Sequence, residues 1–375
     1  MLTDKKEVIY LDAAASALKP QFVIDAQLDF LQNHYANAGR GICARAEYAE
    51  RMVAAARESV AGFIGAKPEQ IVFTSGATDG LNRIPRILES SGALNPDSLV
   101  MVSDLDHHSA RLPWEELARG SKCKLGLCEL DGDLNLDFHA KKKADIFVIT
   151  AMSNVMGVAQ DVKQQIKRAR DANPNVITIV DAAQYIAHST AYALDWDCDF
   201  LCFSGHKIGA DTGIGVMYIK EPDRWHPDKL GGGMVSRVSN HEWAYAFGPA
   251  KFEAGTLPLT QIAGLSVALK EVVDRRSQSE GKIKFLRGEL AKISRIRFVS
   301  SEDAALLTFT IDGMHAYDFG VLMGAHGVCL RVGNMCASWL HARLGLEATV
   351  RISTGPWNTM EEMEQVVGII KKVIK

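Results

Sequence analysis

The sequence predicts an α/β protein, with a mostly parallel seven-stranded sheet in a large domain and a smaller α+β domain C-terminal to it. Two observations carry that expectation. Between residues 50 and 220, helical and strand patterns alternate, and several strand segments are apolar on nearly every residue. Strands covered by helices on both faces lose the in-and-out alternation of a half-exposed strand. Alternation of the two patterns then points to crossover units and a sheet flanked by helices.

Taken in order, Val53, Ala56, Val60 and Ile64 carry helical spacing, and Gln70-Ile-Val-Phe-Thr74 reads as the first strand. Residues 79–88 read as the next helix. The strand series continues with Ser98–Val102, Lys124–Cys128, Asp145–Thr150, Val176–Val180, Asp199–Phe203 and Gly213–Ile219, with a helix over Gln164–Ala172. From Leu230 to Thr256 the regular pattern stops. Gly231-Gly-Gly233 and the polar and aromatic residues after it predict a long excursion containing a hairpin, and such excursions are usually functional. A long helix starts near Leu259 and leads to a segment with Ala305-Leu-Leu-Thr-Phe-Thr-Ile311, where strands and helices mix. The expected domains are 15–262 and 263–375, with residues 1–14 joining the smaller one.

A chain of 375 residues can bury a large core. With 47% hydrophobic and 23% charged residues it has the composition of an ordinary soluble globular protein. A net charge of -3 gives no electrostatic case for nucleic acid or an anionic membrane as partner. No apolar run reaches the roughly 18 residues of a membrane helix, and Met1-Leu-Thr-Asp-Lys-Lys-Glu7 lacks the apolar core of a signal peptide. Seven cysteines without a CxxC pair point to a reducing compartment. The expected location is the cytoplasm.

Ligands of open α/β sheets bind beyond the carboxyl ends of the strands, so the polar groups there decide the chemistry. Asp199-Phe-Leu-Cys-Phe-Ser204-Gly-His206-Lys207 is an apolar strand that ends in a hydroxyl, an imidazole and an amine. An unpaired ammonium is costly to bury. A lysine deprotonated by burial becomes a nucleophile that captures an aldehyde as a Schiff base; one that snorkels to solvent does not. Ser75-Gly-Ala77-Thr78 opens a helix and suits either an anion cradle or a simple cap. Asp104-Leu-Asp106-His107-His108 suits a metal, a base or a ring stacked on a ligand. Ser153-Asn154 is a hydrogen-bonding pair or a turn. Asp181-Ala-Ala-Gln184 places a carboxylate to hold a cationic ring nitrogen or to cap a helix.

Together these motifs supply an aldehyde-capturing lysine, an anion site, an imidazole and a carboxylate at the strand ends of one sheet. Pyridoxal phosphate requires that set. At this point the chain resembles a class V member of the fold-type I pyridoxal-phosphate enzymes, and more narrowly the group II (Suf/Csd-type) cysteine desulfurases. The resemblance runs from Tyr10-Leu-Asp-Ala-Ala-Ala-Ser-Ala-Leu-Lys-Pro20 to Val350-Arg351-Ile-Ser-Thr-Gly-Pro-Trp-Asn-Thr359. Its most specific blocks are Asp181-Ala-Ala-Gln184, Ser204-Gly-His-Lys207 with Thr212-Gly-Ile-Gly-Val216, and Phe252-Glu-Ala-Gly-Thr256.

The resemblance implies that Lys207 is the Schiff-base lysine and that His107 stacks on the pyridine ring. It implies Asp181 on the ring nitrogen, Gln184 on the phenolic oxygen, and Thr78, Ser204, His206 and the Ala77 amide on the phosphate. Thr256 would reach the phosphate of a neighbouring subunit, which implies a homodimer. Asn154 and Arg351 would hold the substrate, the arginine gripping its α-carboxylate in a bidentate fork. No metal is implied.

The cysteines define the reaction. Cys128, Cys202 and Cys329 lie in apolar strand patterns and are expected in the core; Cys123 and Cys198 border such strands. Cys336 lies in the glycine-containing loop Arg331-Val-Gly-Asn-Met-Cys336-Ala337, where the resembled family has its nucleophilic cysteine. The family commonly has a histidine immediately before that cysteine; this chain has Asn334-Met335. Cys43 occupies a place where a histidine is frequent in relatives. The expected reaction is conversion of L-cysteine to L-alanine with a persulfide on Cys336, sulfur transfer to an acceptor protein, and iron–sulfur cluster assembly as the common destination. The alternatives are selenocysteine lysis with L-selenocysteine as substrate, a β-lyase or an aminotransferase, and, outside catalysis, a degenerate subunit that keeps the fold for binding.

Overall fold

The computed structural model describes residues 8–39, 41–138, 143–276 and 280–375; of the N-terminal stretch 1–14, residues 1–7 therefore lie outside it. Seven strands form the large sheet: β1 (Ile71–Thr74), β2 (Leu99–Val102), β3 (Lys124–Leu127), β4 (Ile146–Thr150), β5 (Ile177–Asp181), β6 (Phe200–Ser204) and β7 (Gly215–Ile219). Their spatial order is β1-β7-β6-β5-β4-β2-β3. All neighbours are parallel except β7, which runs antiparallel to both β1 and β6. The expected seven-stranded, mostly parallel sheet is present, with β7 as its one reversed strand.

The apolar runs are explained by two cores, one on each face. Phe147, Ile149, Val180, Leu201, Phe203 and Val216 point into one core, and Ile146, Val148, Ile179, Phe200, Cys202 and Met217 into the other. Successive side chains of a strand face opposite ways, so a strand between two helical layers must be apolar throughout. Helix α1 (Ala44–Phe63) lies in the first layer, and α2 (Ala77–Ser90) and α3 (His108–Arg119) in the second.

Backbone contact is close where α2 meets the sheet. A side chain at Gly215 would place its Cβ 2.5 Å from the Gly76 backbone. Only glycine on β7 lets the start of α2 reach the ends of β1 and β6. Gly80, one turn on, would collide with Cys202 Sγ at 2.7 Å.

The excursion between 230 and 256 contains the expected hairpin, Val235–Val238 against Trp243–Tyr245. Val238 and Trp243 on it, and Phe247 just after it, are exposed. Helix α4 (Leu259–Arg276) and helix α5 (Glu280–Leu290) lead to a four-stranded antiparallel sheet: β8 (Ile296–Phe298), β9 (Leu307–Ile311), β10 (Arg331–Gly333) and β11 (Thr349–Ile352), in the order β8-β9-β11-β10. Its core also takes in Ile9 and Leu11 from the N-terminal segment.

One cysteine departs from expectation. Cys128 and Cys202 are buried, as are Cys123 and Cys198, but Cys329 is exposed. It belongs to a two-residue strand, Val328–Cys329, paired with Ile9–Tyr10. Strand alternation turns Val328 into the core and Cys329 outward. An apolar pattern of four residues is too short to reveal which half faces solvent.

Candidate active site

The polar groups singled out by the sequence stand where strands end. Thr150, Asp181 and Ser204 are the last residues of β4, β5 and β6, and Lys207 follows β6 after one short turn. A strand end delivers a side chain from a rigid base, which favours precise placement.

Lys207 is half-buried and donates to the Ala14 carbonyl. Burial, helped by the Arg351 charge and opposed by Asp181 and Asp12, lowers its pKa to about 8. A sizeable fraction of this amine is therefore neutral near physiological pH and able to attack a carbonyl. Asp181 is buried, and one carboxylate oxygen accepts the Ala183 N–H at 2.9 Å. Burial raises its pKa, and the Lys207 charge partly opposes the shift.

His107 caps α3, its Nδ1 accepting the Ser109 N–H at 3.2 Å. Burial lowers its pKa to about 4, assisted by the charges of Lys207, His108 and Arg351. It is a neutral, flat ring, suited to stacking. The metal reading of the Asp/His cluster fails on Asp106. Its carboxylate is consumed by the Ser103 N–H (2.7 Å), the Ser103 hydroxyl (3.0 Å) and the Thr150 hydroxyl (2.7 Å). Among the described residues no group of three or more His, Cys, Asp or Glu could hold a metal ion.

At the start of α2, the Ala77 N–H donates to Ser204 Oγ at 2.8 Å, and Thr78 beside it is exposed. This brings a helix N-terminus and a strand-end hydroxyl into contact, two group types that can hold an anion. His206 completes that corner; burial and the neighbouring Lys207 charge lower its pKa to about 4. Thr256 lies on the far side of an anchor in which Arg57 grips Glu253 at 2.8 Å and Glu253 accepts the Phe73 N–H at 2.7 Å. From there Thr256 points into solvent.

Arg351, on β11, is buried and donates to Asp12 at 3.2 Å and to the Asn154 carbonyl at 3.0 Å. Asp12 also pairs with Arg331 of β10 at 2.6 Å. Its carboxylate thus sits between two guanidinium groups, a role the sequence did not reveal although Asp12 lies in the Tyr10–Pro20 block. The Ser153-Asn154 pair divides its duties. Ser153 accepts the Val155 and Met156 N–H groups, forming a turn, while Asn154 Nδ2 donates to the Met335 carbonyl at 2.7 Å.

That last bond brings the Cys336 loop to the large sheet. Cys336 is exposed, between β10 and helix α6 (Ser338–Arg343). Met335 and Cys336 have φ of 53° and 56°. Left-handed backbone costs a residue with a side chain roughly 1–2 kcal/mol, and two in succession demand support from outside the chain segment.

Three buried polar atoms lack a hydrogen-bond partner here: Gln184 Oε1, His206 Nδ1 and Arg351 Nε. Unsatisfied buried groups are uncommon, and an amide oxygen, an imidazole nitrogen and a guanidinium N–H left open beside Lys207 are groups that a bound polar ligand would engage. A cavity of about 710 Å³ opens beside Lys207 and Gln184, bounded by Ala14, His188, Arg287 and Trp357. The residues present fit pyridoxal phosphate.

Comparison with known proteins agrees. The family model for aminotransferase class-V matches residues 9–366. A cysteine desulfurase of Enterobacter sp. (strain 638) is 34% identical over 97% of this chain and 93% of its own. Among solved structures, the apo cysteine desulfurase of Thermococcus onnurineus NA1 superposes with a TM-score of 0.93 at 31% identity, covering 98% of this chain and 95% of that one. The cysteine desulfurase CsdA of Escherichia coli gives 0.90 at 31% identity, covering 100% and 96%.

Proposed function

The chain belongs to the aminotransferase class-V family, and we propose that it is a pyridoxal-phosphate-dependent cysteine desulfurase, converting L-cysteine to L-alanine and passing the sulfur through Cys336. One observation carries this reading. Lys207, whose pKa burial lowers, feels the charge of Arg351, and Arg351 is joined through Asn154 to the loop that carries Cys336.

Bound pyridoxal phosphate supplies an aldehyde for an amine and an electron sink for the substrate carbon. The residues of this chain do the rest. Lys207 would hold the cofactor through its amine and would carry the substrate Cα proton as general base. His107 would stack on the ring, Asp181 would hold the ring nitrogen, and Gln184 would contact the phenolic oxygen. Ser204, Thr78, His206 and the Ala77 amide hold the phosphate. Arg351 and Asn154 grip the α-carboxylate; the substrate then competes with Asp12 and the Met335 carbonyl for donors already in use.

Cys336 Sγ forms a bond to the substrate sulfur as the substrate carbon–sulfur bond breaks. The electron pair stays with carbon, which takes up a proton and leaves as alanine. A loop outside the sheets suits a nucleophile that must afterwards present its persulfide to an acceptor protein. The exposed position of Thr256 and the exposed apolar residues Val238 and Trp243 of the hairpin, with Phe247 just after it, support a homodimer in which Thr256 serves the neighbouring phosphate. No helix among the described residues is long and apolar enough to cross a membrane, and a cytoplasmic role in iron–sulfur cluster assembly is in keeping with seven cysteines that include no CxxC pair.

The Asn334-Met335 pair in place of the family's histidine favours one second reading: L-selenocysteine lysis or β-elimination without participation of Cys336. The loaded protein, given L-cysteine and a thiol reductant, is expected to release alanine and sulfide in equal amounts, and Cys336→Ser is expected to abolish both. Alanine release undiminished in Cys336→Ser, or pyruvate as the main product, would establish the second reading instead.

A further inference from the structure

The left-handed pair Met335-Cys336 persists only if its surroundings over-determine it. A closed hydrogen-bond circuit does so. Asn334 Oδ1 accepts the Cys336 N–H at 3.2 Å, and Asn334 Nδ2 donates to Ser338 Oγ at 3.1 Å. Ser338 Oγ lies 3.0 Å from His108 Nε2, which also accepts the Ser338 N–H at 3.3 Å. The His108 backbone N–H then donates to the Cys336 carbonyl at 2.9 Å, closing the circuit. Asn154 secures the Met335 carbonyl from outside it.

The donors and acceptors balance in one protonation state only. His108 Nε2 accepts the Ser338 N–H, and with Asn334 Nδ2 donating to Ser338 Oγ, the hydroxyl hydrogen shares that same imidazole lone pair. That nitrogen must be unprotonated, with the ring proton on Nδ1. Burial lowers the His108 pKa, which favours this form. The ring is fixed edge-on to Trp339 at 5.3 Å, and Arg111 covers Trp339 at 4.2 Å. Asparagine suits position 334 because its short side chain reaches the N–H two residues ahead. The loop therefore still meets an imidazole, brought from the start of α3 rather than from the residue before the cysteine.

We infer that Asn334, Ser338 and His108 are positioning residues that hold Cys336 in its left-handed pose for attack on the substrate sulfur. The inference rests on Cys336 being the sulfur acceptor. Two readouts separate it from a merely structural role. In the cofactor-free protein, Asn334→Ala and Ser338→Ala are expected to speed amide exchange at residues 336–338 by about five- to tenfold, the effect of losing one hydrogen bond. With cofactor and L-cysteine, both are expected to lower kcat for alanine by roughly 10- to 100-fold, the scale of a small misplacement. KM and the cofactor absorption should stay within twofold, and Ser338→Thr, which keeps the hydroxyl, should retain most of kcat. Unchanged exchange in both alanine variants would overturn the inference, and so would faster exchange with kcat intact. Full activity of Cys336→Ser would instead remove the sulfur-acceptor reading, while the exchange data would still report whether the circuit holds the loop.

Discussion

Asp181, Ser204 and Lys207 stand at or just beyond the ends of neighbouring strands in a sheet buried on both faces, whereas Cys336 stands on an exposed loop with left-handed backbone. The first region obtains its geometry from the regular lattice of the sheet. Strand spacing sets the distance between its side chains, and burial sets their protonation. The second obtains its geometry from side-chain hydrogen bonds reaching across from Asn154 and His108. Chemistry on a fixed cofactor tolerates little movement, while a sulfur carrier must meet both a buried substrate and an external acceptor. On the proposed reading, the two halves of the reaction rest on two kinds of support.

If the strand-end region supplies the amine chemistry, its loss should be the most damaging. Lys207→Met is expected to lower alanine release by roughly 100- to 10,000-fold, measured with saturating L-cysteine. Activity within tenfold of the parent would break the contrast outright. Next in size, Arg351→Lys keeps the charge but loses the planar fork. A lost charge-assisted hydrogen bond, about 1.5–3 kcal/mol, should raise KM for L-cysteine by about tenfold or more, with kcat less affected. A fall in kcat at constant KM would place Arg351 outside substrate binding.

The same burial gives a pH signature. Lys207 titrates at about 8 in the folded chain against 10.5 in the unfolded one. Between those values the unfolded chain holds the proton that the native state has shed, so native stability rises with pH. Below that window the buried charge is a full penalty. Thermal denaturation of the cofactor-free proteins should therefore find Lys207→Met more stable than the parent near neutral pH, with the gap narrowing as pH approaches about 10. A gap independent of pH would mean that Lys207 is not desolvated. The smallest effect belongs to the exposed thiol outside the site: Cys329→Ser should leave alanine release within twofold.

Much of the strand-end region was legible in the sequence, and most of the loop was not. Apolar runs ending in Asp181 and Ser204-Gly-His-Lys207 announce themselves because a strand buried on both faces has no other reason to stop in charge. Asp12 on Arg351, Asn154 on Met335 and His108 on Ser338 join residues 339, 181 and 230 positions apart. No local periodicity encodes such pairs; they exist because the small antiparallel sheet is set beside the ends of the large one. Cys329 was misplaced for a related reason, since a two-residue strand shows its orientation only once its partner Ile9–Tyr10 is known. Asp106 looked like a candidate ligand until Ser103 and Thr150 were seen to use its oxygens.

The central claim is that sulfur leaves the substrate on Cys336. Mass spectrometry of the cofactor-loaded protein after brief exposure to L-cysteine, without reductant, tests it directly. One added sulfur atom on the peptide containing Cys336, absent in Lys207→Met, is the predicted result. Release of alanine with no sulfur on that peptide, or with the sulfur on Cys43 or Cys329 instead, would contradict it.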